Sequence, residues 1–250
     1  MSDIKPGLRN ETQPGVRSKK KLGVVGGMGP AATAYFYELL TTMADAGADQ
    51  EHIETFIISR PTIPDRTAFI MGKSDESPVP QIIESGRMLA VLGAELIAIP
   101  CVTTHFFFEE LASGIEVPLI NVITEMAEHL LRTGVKRAGL MATDGTISSR
   151  LFDNELESRG IRSVVPSERM QALVMDLIYN RVKANKPCDI NEFIRVADEL
   201  RENGAEAIVL ACTELSLIKR DFSLIGGYVD ALEVLAGSSL ELCGGAVRAP

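Results

Sequence analysis

The chain contains the same short pattern twice, a buried strand that follows a glycine and ends at a cysteine. Residues 93–101 read GAELIAIPC and residues 204–212 read GAEAIVLAC, so each cysteine lies at the same distance from its glycine. Short runs of Ile, Val, Leu and Ala are typical of strands buried on both faces of a parallel sheet. The repeat predicts two similar halves, each with a thiol at the carboxyl end of one strand.

Strand-like and helix-like patterns alternate along the rest of the chain, which is typical of α/β folds with parallel sheets. Basic residues, a short apolar strand and a Gly/Thr-rich turn occur in residues 21–33 and again in 135–146, which supports the division into halves. We predict an α/β fold of two pseudo-symmetric lobes, each a parallel sheet flanked by helices. The active site is expected in the cleft between the lobes, since ligands bind at the carboxyl ends of parallel strands.

The boundaries of these lobes follow the order of the predicted elements. The first lobe is expected to comprise residues 21–122 together with 229–250, and the second to comprise residues 123–228. Residues 1–20 are polar and without periodicity, which predicts a flexible N-terminal tail. Among the individual elements, we expect a short strand at 115–122 and one continuous helix at 171–183.

The charge and hydropathy of the chain argue against several classes of partner. A net charge of −9 and a pI near 5.0 are unsuited to sequence-independent nucleic-acid binding, which needs a basic face. No window reaches the roughly 18–20 apolar residues of a membrane helix, and the N-terminus lacks the apolar segment of a secretory signal. We therefore expect a cytoplasmic protein whose four cysteines are free thiols, with Cys188 and Cys243 as ordinary packing or surface residues.

Two other kinds of site fit the sequence less well. The turn after the first strand has glycines spaced as GxxGGxG rather than GxGxxG, and the next strand ends in Ser59-Arg60 instead of an acidic ribose ligand, which disfavours a dinucleotide site. Cys101 and His105 have a spacing that can chelate a metal. The second half has Ser216 where a histidine would be needed, and no third ligand is apparent. No metal site is predicted, and His105 is expected to be a packing or supporting residue.

Two thiols at matching positions favour a particular chemistry. A cysteine between a strand and a helix lies near the positive end of the helix dipole and near free N–H groups, which favour the thiolate. One thiol on each side of a carbon can remove a proton from one face and return a proton to the other, which inverts the configuration. Arg66, one lysine and the amides of the turns can stabilise the carbanionic transition state. Taken singly, each cysteine fits an inert buried thiol as well.

The chain resembles the cofactor-independent aspartate/glutamate racemases in four places, from Lys21 to about Ala236. They are GVVGGMGPAAT (23–33), PTIPDRT (61–67), PCVTTHFF (100–107), and ATDGT with ACTEL (142–146 and 211–215). The resemblance implies an isomerase that interconverts the L and D forms of an acidic amino acid, aspartate favoured over glutamate. It further implies a small amino-acid or dicarboxylate substrate, neither pyridoxal phosphate nor another cofactor, and a homodimer.

The same resemblance implies roles for single residues. Cys101 and Cys212 would be the two acid–base thiols. The substrate-binding residues would be Met28, Arg66, Val102, Thr103, Thr213 and Lys183. Of these, Val102, Thr103 and Thr213 would hold the α-carboxylate, while Arg66 and Lys183 are candidate anchors for the distal carboxylate.

Val102 departs from the pattern of the family, in which asparagine usually follows the first cysteine. The side-chain amide is absent here, although the backbone N–H remains. The substrate is therefore left open, and two alternatives stand beside the racemase. One is a related isomerase of the maleate or hydantoin type, and the other is a carboxylate-binding protein without turnover.

Overall fold

The structure is a computed structural model that describes residues 19–248, so residues 1–18 of the predicted tail lie outside the described part. Its first sheet has three strands, β1 (Leu22–Gly26), β2 (Thr55–Ser59) and β3 (Leu96–Ala98), in the order β2-β1-β3. All of its strands are parallel. The central strand is β1, and its residues are buried along their whole length.

The second sheet has four parallel strands in the order β5-β4-β6-β7. They are β4 (Arg137–Met141), β5 (Arg162–Val164), β6 (Ala207–Leu210) and β7 (Tyr228–Asp230). The neighbours β4 and β6 correspond to β1 and β3 of the first sheet. Each half therefore places its cysteine two or three residues after the strand beside its first strand.

Helices connect these strands. They are α1 (Pro30–Thr42), α2 (Arg66–Ile70), α3 (Val79–Val91), α4 (Phe108–Gly114), α5 (Val122–Arg132), α6 (Asp144–Ser148), α7 (Asp153–Glu157), α8 (Glu168–Met175), α9 (Ile190–Glu202), α10 (Thr213–Asp221) and α11 (Ala231–Leu242). Short 3₁₀ helices cover Asp49–Glu51 and Val102–Phe107, and a π-helical turn covers Asp176–Val182. Asn121, Asp189 and Asp230 cap α5, α9 and α11, because each side chain accepts a hydrogen bond from a free N–H of the first turn.

The sequence repeat is also a repeat in packing. Gly23 of β1 pairs with Ile97, and Gly139 of β4 pairs with Ile208 in the same parallel register. A Cβ atom at either glycine would lie 2.9 Å from an alanine Cβ, Ala94 in the first half and Ala205 in the second. The close approach of these strands to the helix and turn beside them therefore depends on the missing side chain.

One apolar core joins the two halves. Helices α1, α5 and α11 contribute Phe36, Met126 and Leu235, which belong to the same buried cluster as Leu22 of β1 and Leu140 of β4. Two smaller clusters, one in each lobe, complete the core. Because the shared cluster fixes the two sheets to each other, the carboxyl ends of both sheets border one common space.

The predicted α/β class with two parallel sheets flanked by helices is confirmed. Some finer expectations are wrong: the segment 115–122 forms a single bridge, Leu119 to Ile97, and α5 already begins at Val122. The helix expected at 171–183 changes into the π-helical turn after Met175. The lobe boundary expected between residues 228 and 229 falls inside β7, which pairs with the second sheet, and the lobe division itself stays a prediction.

Within residues 19–248, the helices are all too short or too polar to cross a membrane.

We predict that Gly23→Ala and Gly139→Ala each lower the free energy of unfolding by about 1–3 kcal/mol, the usual cost of overpacking a core. The cause is the same in both, since the added methyl group would meet Ala94 or Ala205 at 2.9 Å. Urea denaturation measures the loss. Gly47→Ala is the matched control, because its added Cβ would lie 3.6 Å from the nearest atom, a Glu51 carboxylate oxygen. Equal stabilities for Gly23→Ala, Gly139→Ala and the control would contradict the packing described here.

Candidate active site

A small cavity lies at the carboxyl ends of both sheets, and the two repeated cysteines line it from opposite halves of the chain. All the site residues expected from the sequence lie around it, namely Met28, Arg66, Cys101, Val102, Thr103, Lys183, Cys212 and Thr213. Five more line it that the sequence analysis did not select, namely Asp65, Thr67, Thr143, Tyr179 and Glu214. The inner cavity is only about 10 Å³, close to the space of one water molecule.

The two cysteines occupy equivalent backbone positions. Cys101 follows β3 and precedes the 3₁₀ helix Val102–Phe107, and Cys212 follows β6 and precedes α10. Both residues have extended backbone angles, φ −154° and −148°, as expected of a residue that ends a strand and begins a helix. Both are buried, with 7% and 6% of their surface accessible. The fold therefore brings both thiols to the same cavity by the same local geometry.

Arg66 is a buried cation beside Cys101. One Nη atom donates to the Pro64 carbonyl oxygen and the other to the Met28 carbonyl oxygen, each at 3.0 Å, while Nε has no hydrogen-bond partner among the described residues. Burial acts to lower the pKa of Arg66, but the sulfur of Cys101 and the carboxylate of Asp65 outweigh it and raise that pKa. The guanidinium thus stays charged at the cavity.

Lys183 lies among groups that hold its positive charge. Its Nζ atom lies 3.6 Å from Oδ2 of Asp65, 3.9 Å from Oε1 of Glu214 and 4.2 Å from the centre of the Tyr179 ring. Burial acts to lower the pKa of Lys183, but the negative charge of Glu214 outweighs it and the pKa is raised. The Tyr179 hydroxyl donates to both Asp65 oxygens, at 3.1 and 3.0 Å. Lys183 is therefore a fixed ammonium group at the edge of the cavity.

Cys212 donates its thiol hydrogen to a buried carboxylate. Its Sγ atom lies 2.9 Å from Oε2 of Glu214, the second residue of α10. Burial and the negative charge of Glu214 raise the pKa of Cys212 well above that of an ordinary thiol. The expectation that the helix terminus favours a thiolate is thus wrong for this cysteine, because desolvation and a nearby carboxylate outweigh the dipole.

Three threonines join the two halves beside the cysteines. Thr103 Oγ1 lies 3.0 Å from Oγ1 of both Thr143 and Thr146, and these two lie 3.2 Å from each other. All three side chains are buried. The Thr103 hydroxyl is thereby engaged across the cavity wall. The site residue Thr103 therefore connects the first half to the turn that opens α6 in the second.

The glycine-rich turn after β1 brings Met28 to the cavity. Gly27 adopts φ +94°, and a Cβ atom there would lie 2.3 Å from the backbone N of Arg60, so only glycine fits. Its N–H group donates to Thr33 Oγ1 at 2.9 Å and is not free for a ligand. The turn instead contributes Met28, whose sulfur accepts from the Thr104 hydroxyl at 3.6 Å and whose carbonyl accepts from Arg66.

His105 is a buried supporting residue. Its ring nitrogens face the carbonyl oxygens of Cys101 at 3.1 Å and Ile120 at 3.3 Å, and burial lowers its pKa. The His105 ring therefore connects the backbone at Cys101 to the backbone at Ile120. No group of three or more His, Cys, Asp or Glu side chains within residues 19–248 is arranged to hold a metal ion. Across the same residues, all four cysteines are free thiols.

A second, larger cavity of about 530 Å³ adjoins the inner one. The two cavities share Met28, Asp65, Arg66, Lys183 and Glu214, so these side chains form the partition between them. The remaining wall is mostly apolar and comes from the start of α1, the proline loop before α2, the segment around residues 182–185 and Leu217 of α10. A ligand can thus reach the cysteines from this outer cavity only past the charged partition.

Comparison with known proteins identifies the family. The sequence profile described as Asp/Glu/Hydantoin racemase matches residues 25–234, most of the chain. The chain belongs to this family. The resemblance seen in the sequence is thereby confirmed, and so is the predicted enzyme class, an isomerase of the racemase type.

Individual relatives agree over nearly the whole chain. The broad specificity amino-acid racemase RacX of Bacillus subtilis is 24% identical over 225 residues, which cover 88% of this chain and 96% of the relative. The structure of the Picrophilus torridus aspartate racemase superposes with a TM-score of 0.81 at 31% identity, covering 92% of this chain and 96% of that one. The glutamate racemase of Francisella tularensis superposes at 0.64 with 17% identity over 90% and 81%, which shows a shared fold alone.

The missed residues around the cavity carried a weaker signal in the sequence. Glu214 stands two positions after Cys212, and Asp65 directly precedes Arg66, so proximity to selected residues indicated both. Tyr179 lies one helical turn before Lys183 and therefore on the same face. Thr143 belongs to the repeated turn already identified. No single-sequence pattern distinguishes such neighbours from ordinary surface residues.

We predict that Thr103→Val lowers the free energy of unfolding by about 1–3 kcal/mol, because it removes a buried hydroxyl and leaves Thr143 and Thr146 with fewer partners. Thr103→Ser retains the oxygen and is expected to lose less. Chemical denaturation of both variants and the parent provides the comparison. If valine costs less than serine, the methyl packing and not the hydroxyl contact between the halves would be responsible.

Proposed function

We propose that this chain is a cofactor-independent racemase that interconverts the L and D forms of an acidic amino acid through Cys101 and Cys212. One observation carries the proposal: equivalent strands of the two halves are each followed within three residues by a cysteine, and both cysteines line one cavity. An inert thiol has no reason to recur at the same cavity in both halves. A pair that exchanges protons with opposite faces of one carbon needs this arrangement.

In the proposed reaction the sulfur of one cysteine, as thiolate, takes the α-hydrogen of the substrate as a proton. The electron pair of the broken C–H bond stays on the substrate as a carbanion, and the thiol of the other cysteine donates its proton to the opposite face. Backbone N–H groups after Cys101 and Cys212, at Val102, Thr103 and Thr213, are positioned at helix N-termini to hold the α-carboxylate. No cofactor takes part in these steps.

The cations of the site support an acidic side chain on the substrate. Arg66 and Lys183 both line the inner cavity, and the buried Nε of Arg66, which has no partner among residues 19–248, would donate a hydrogen bond to a carboxylate that enters. One relative of known structure, 31% identical to this chain, is named as an aspartate racemase, which supports aspartate over glutamate. Val102 has no side-chain amide, so the α-carboxylate of the substrate would be held at this position by backbone N–H groups alone. The homodimer and the cytoplasmic location expected from the sequence remain predictions.

The central prediction is exchange of the α-hydrogen. In D₂O we expect the protein to exchange deuterium into the α-position of L- and D-aspartate and to racemise either enantiomer. Cys101→Ser and Cys212→Ser should each lower kcat/KM at least about 100-fold, since a hydroxyl is a far weaker acid than a thiol. NMR and chiral chromatography measure both effects, and Cys188→Ser serves as the matched control with unchanged rates.

Other results would favour the alternatives. Absence of both exchange and inversion across a panel of amino acids would overturn the racemase proposal. Turnover of maleate or of hydantoins in that panel would indicate the related isomerases. Ligand binding that persists in the Cys101→Ser, Cys212→Ser double variant, with no exchange in the parent, would indicate a binding protein.

A second candidate is a racemase with a wider range of side chains. Lys183 already faces the carboxylates of Asp65 and Glu214, so its charge is partly balanced before a substrate arrives. The adjoining cavity of about 530 Å³ is lined mainly by apolar groups and has room for longer side chains. One relative is named as a broad specificity amino-acid racemase, which is consistent with this candidate.

Lys183→Met distinguishes the two candidates. If Lys183 binds the distal carboxylate, KM for aspartate should rise at least about 10-fold, since a charged hydrogen bond is worth roughly 1.5–3 kcal/mol, while kcat/KM for a neutral amino acid stays unchanged. Lys186→Met, which removes an exposed lysine nearby, is the control. An equal change for acidic and neutral substrates would favour the wider range.

A further inference from the structure

The side chain of Glu214 is the feature of the site that the proposed two-thiol mechanism does not yet use. It is buried, with 4% of its surface accessible, although an isolated buried carboxylate is costly. Its Oε2 atom accepts the thiol of Cys212 at 2.9 Å and also faces the Thr213 hydroxyl at 3.4 Å. Its Oε1 atom has no hydrogen-bond partner among the residues that the structure describes.

The position of Glu214 connects Cys212 to the outer cavity. Glu214 belongs to the partition that lines both cavities, and a Cβ atom on Gly29, in the wall of the outer one, would lie only 3.4 Å from Oε1. Gly29 thus lies between Oε1, which is itself buried, and the outer cavity, and Gly29 has no side chain there. Lys183 Nζ lies 3.9 Å from Oε1 and forms an ion pair with it.

The two halves differ at this point, although their cysteines are equivalent. In the first half the residue two positions after Cys101 is Thr103, which bonds to other threonines, and the charged neighbour of the cysteine is Arg66. In the second half the same position is Glu214. A cation therefore lies beside Cys101, whereas a carboxylate lies beside Cys212 and favours the protonated form of that thiol. The two halves thus differ in the charge beside their equivalent cysteines.

Resting on the proposed function, we propose that Glu214 is a third catalytic residue, which keeps Cys212 protonated and exchanges its proton with water in the outer cavity. It touches the reacting sulfur directly. The substrate proton is taken by the other thiol, so this role is separate from the cysteine pair itself.

The protons balance over one turnover. The Cys101 thiolate takes the proton of the Cα–H bond, and the Cys212 S–H bond breaks as its proton goes to the opposite face of Cα. The product then leaves an enzyme with Cys101 protonated and Cys212 as a thiolate. The Glu214 carboxylate accepts a proton from water and passes it to Cys212, while Cys101 returns one proton to water. No oxidant or reductant is needed, and the starting form is restored.

A different role for Glu214 is conceivable from the same contacts, since its free Oε1 could receive the α-ammonium group of the substrate. The two roles predict different kinetics. An ammonium ligand acts on substrate binding and therefore on KM. A proton partner of Cys212 acts on the acidity of the thiol in the free enzyme and on turnover.

Glu214→Gln tests the proposal, because the amide keeps the shape of the carboxylate but has neither charge nor an exchangeable acid proton. We expect kcat for aspartate to fall at least about 10-fold. The basic limb of the pH profile of kcat/KM should move to lower pH by about one unit or more, since the thiolate of Cys212 is no longer opposed by a neighbouring anion. Asp176→Asn is the control: it removes a carboxylate that lines neither the inner nor the outer cavity and pairs with Arg181, and we expect the limb to stay in place.

Alkylation provides a measurement that does not depend on turnover. In a Cys101→Ser background, the rate of Cys212 modification by iodoacetamide is followed against pH by mass spectrometry of its peptide. The midpoint should lie at lower pH with Glu214→Gln than with Glu214. Should that variant not fold, Glu214→Asp, whose carboxylate is one methylene farther from the sulfur, should move the midpoint in the same direction by less.

The outcomes separate the two proposals. An alkylation midpoint that does not move overturns the role of Glu214 at Cys212, whatever the activity. A KM raised at least about 10-fold with an unmoved basic limb also overturns it, in favour of an ammonium ligand. Absence of α-hydrogen exchange in the parent protein overturns the racemase, and with it the catalytic role, while a moved midpoint would still show the pairing of Glu214 with the thiol.

Discussion

The structure depends on the close parallel pairing of β1 with β3 and of β4 with β6. Because Gly23 and Gly139 have no side chain, β1 and β4 lie close to Ala94, after α3, and to Ala205, after α9. The two strand pairs also have the same register. That register fixes where β3 and β6 end, and therefore where Cys101 and Cys212 lie. The shared core of α1, α5 and α11 then sets the two sheets against each other. The positions of the two thiols thus follow from backbone packing far from the cavity.

Around these thiols, charge and not shape distinguishes the halves. The cavity holds two cations, Arg66 and Lys183, and two carboxylates, Asp65 and Glu214, all largely withdrawn from solvent. Enantiomers have equal free energies in water, so kcat/KM of a racemase must be equal in both directions. An asymmetric set of neighbours cannot shift that equilibrium. These neighbours can only decide which thiol carries the proton in the free enzyme. They thereby decide which enantiomer finds the thiols in the protonation states that its reaction needs.

Much of this arrangement was predictable from the sequence, because the repeat, the strand patterns and the motifs around Cys101, Arg66 and Cys212 are local signals. The residues brought together from distant segments were harder. Tyr179 and Asp65 are far apart in the chain and meet only through tertiary packing, and the hydrogen bond between them has no signature in either segment. The raised pKa of Cys212 was missed for a related reason. The helix dipole can be inferred from sequence, whereas the burial that opposes it depends on the whole fold.

The three threonines beside the cysteines have a consequence for how a ligand gains entry. The inner cavity has space for about one water molecule, so its walls have to separate before an amino acid can bind there. The hydroxyl contacts of Thr103 with Thr143 and Thr146 join the wall from the first half to the wall from the second. Hydroxyl groups are well suited to these contacts, since each hydroxyl can rotate and exchange its protein partner for water when the walls separate.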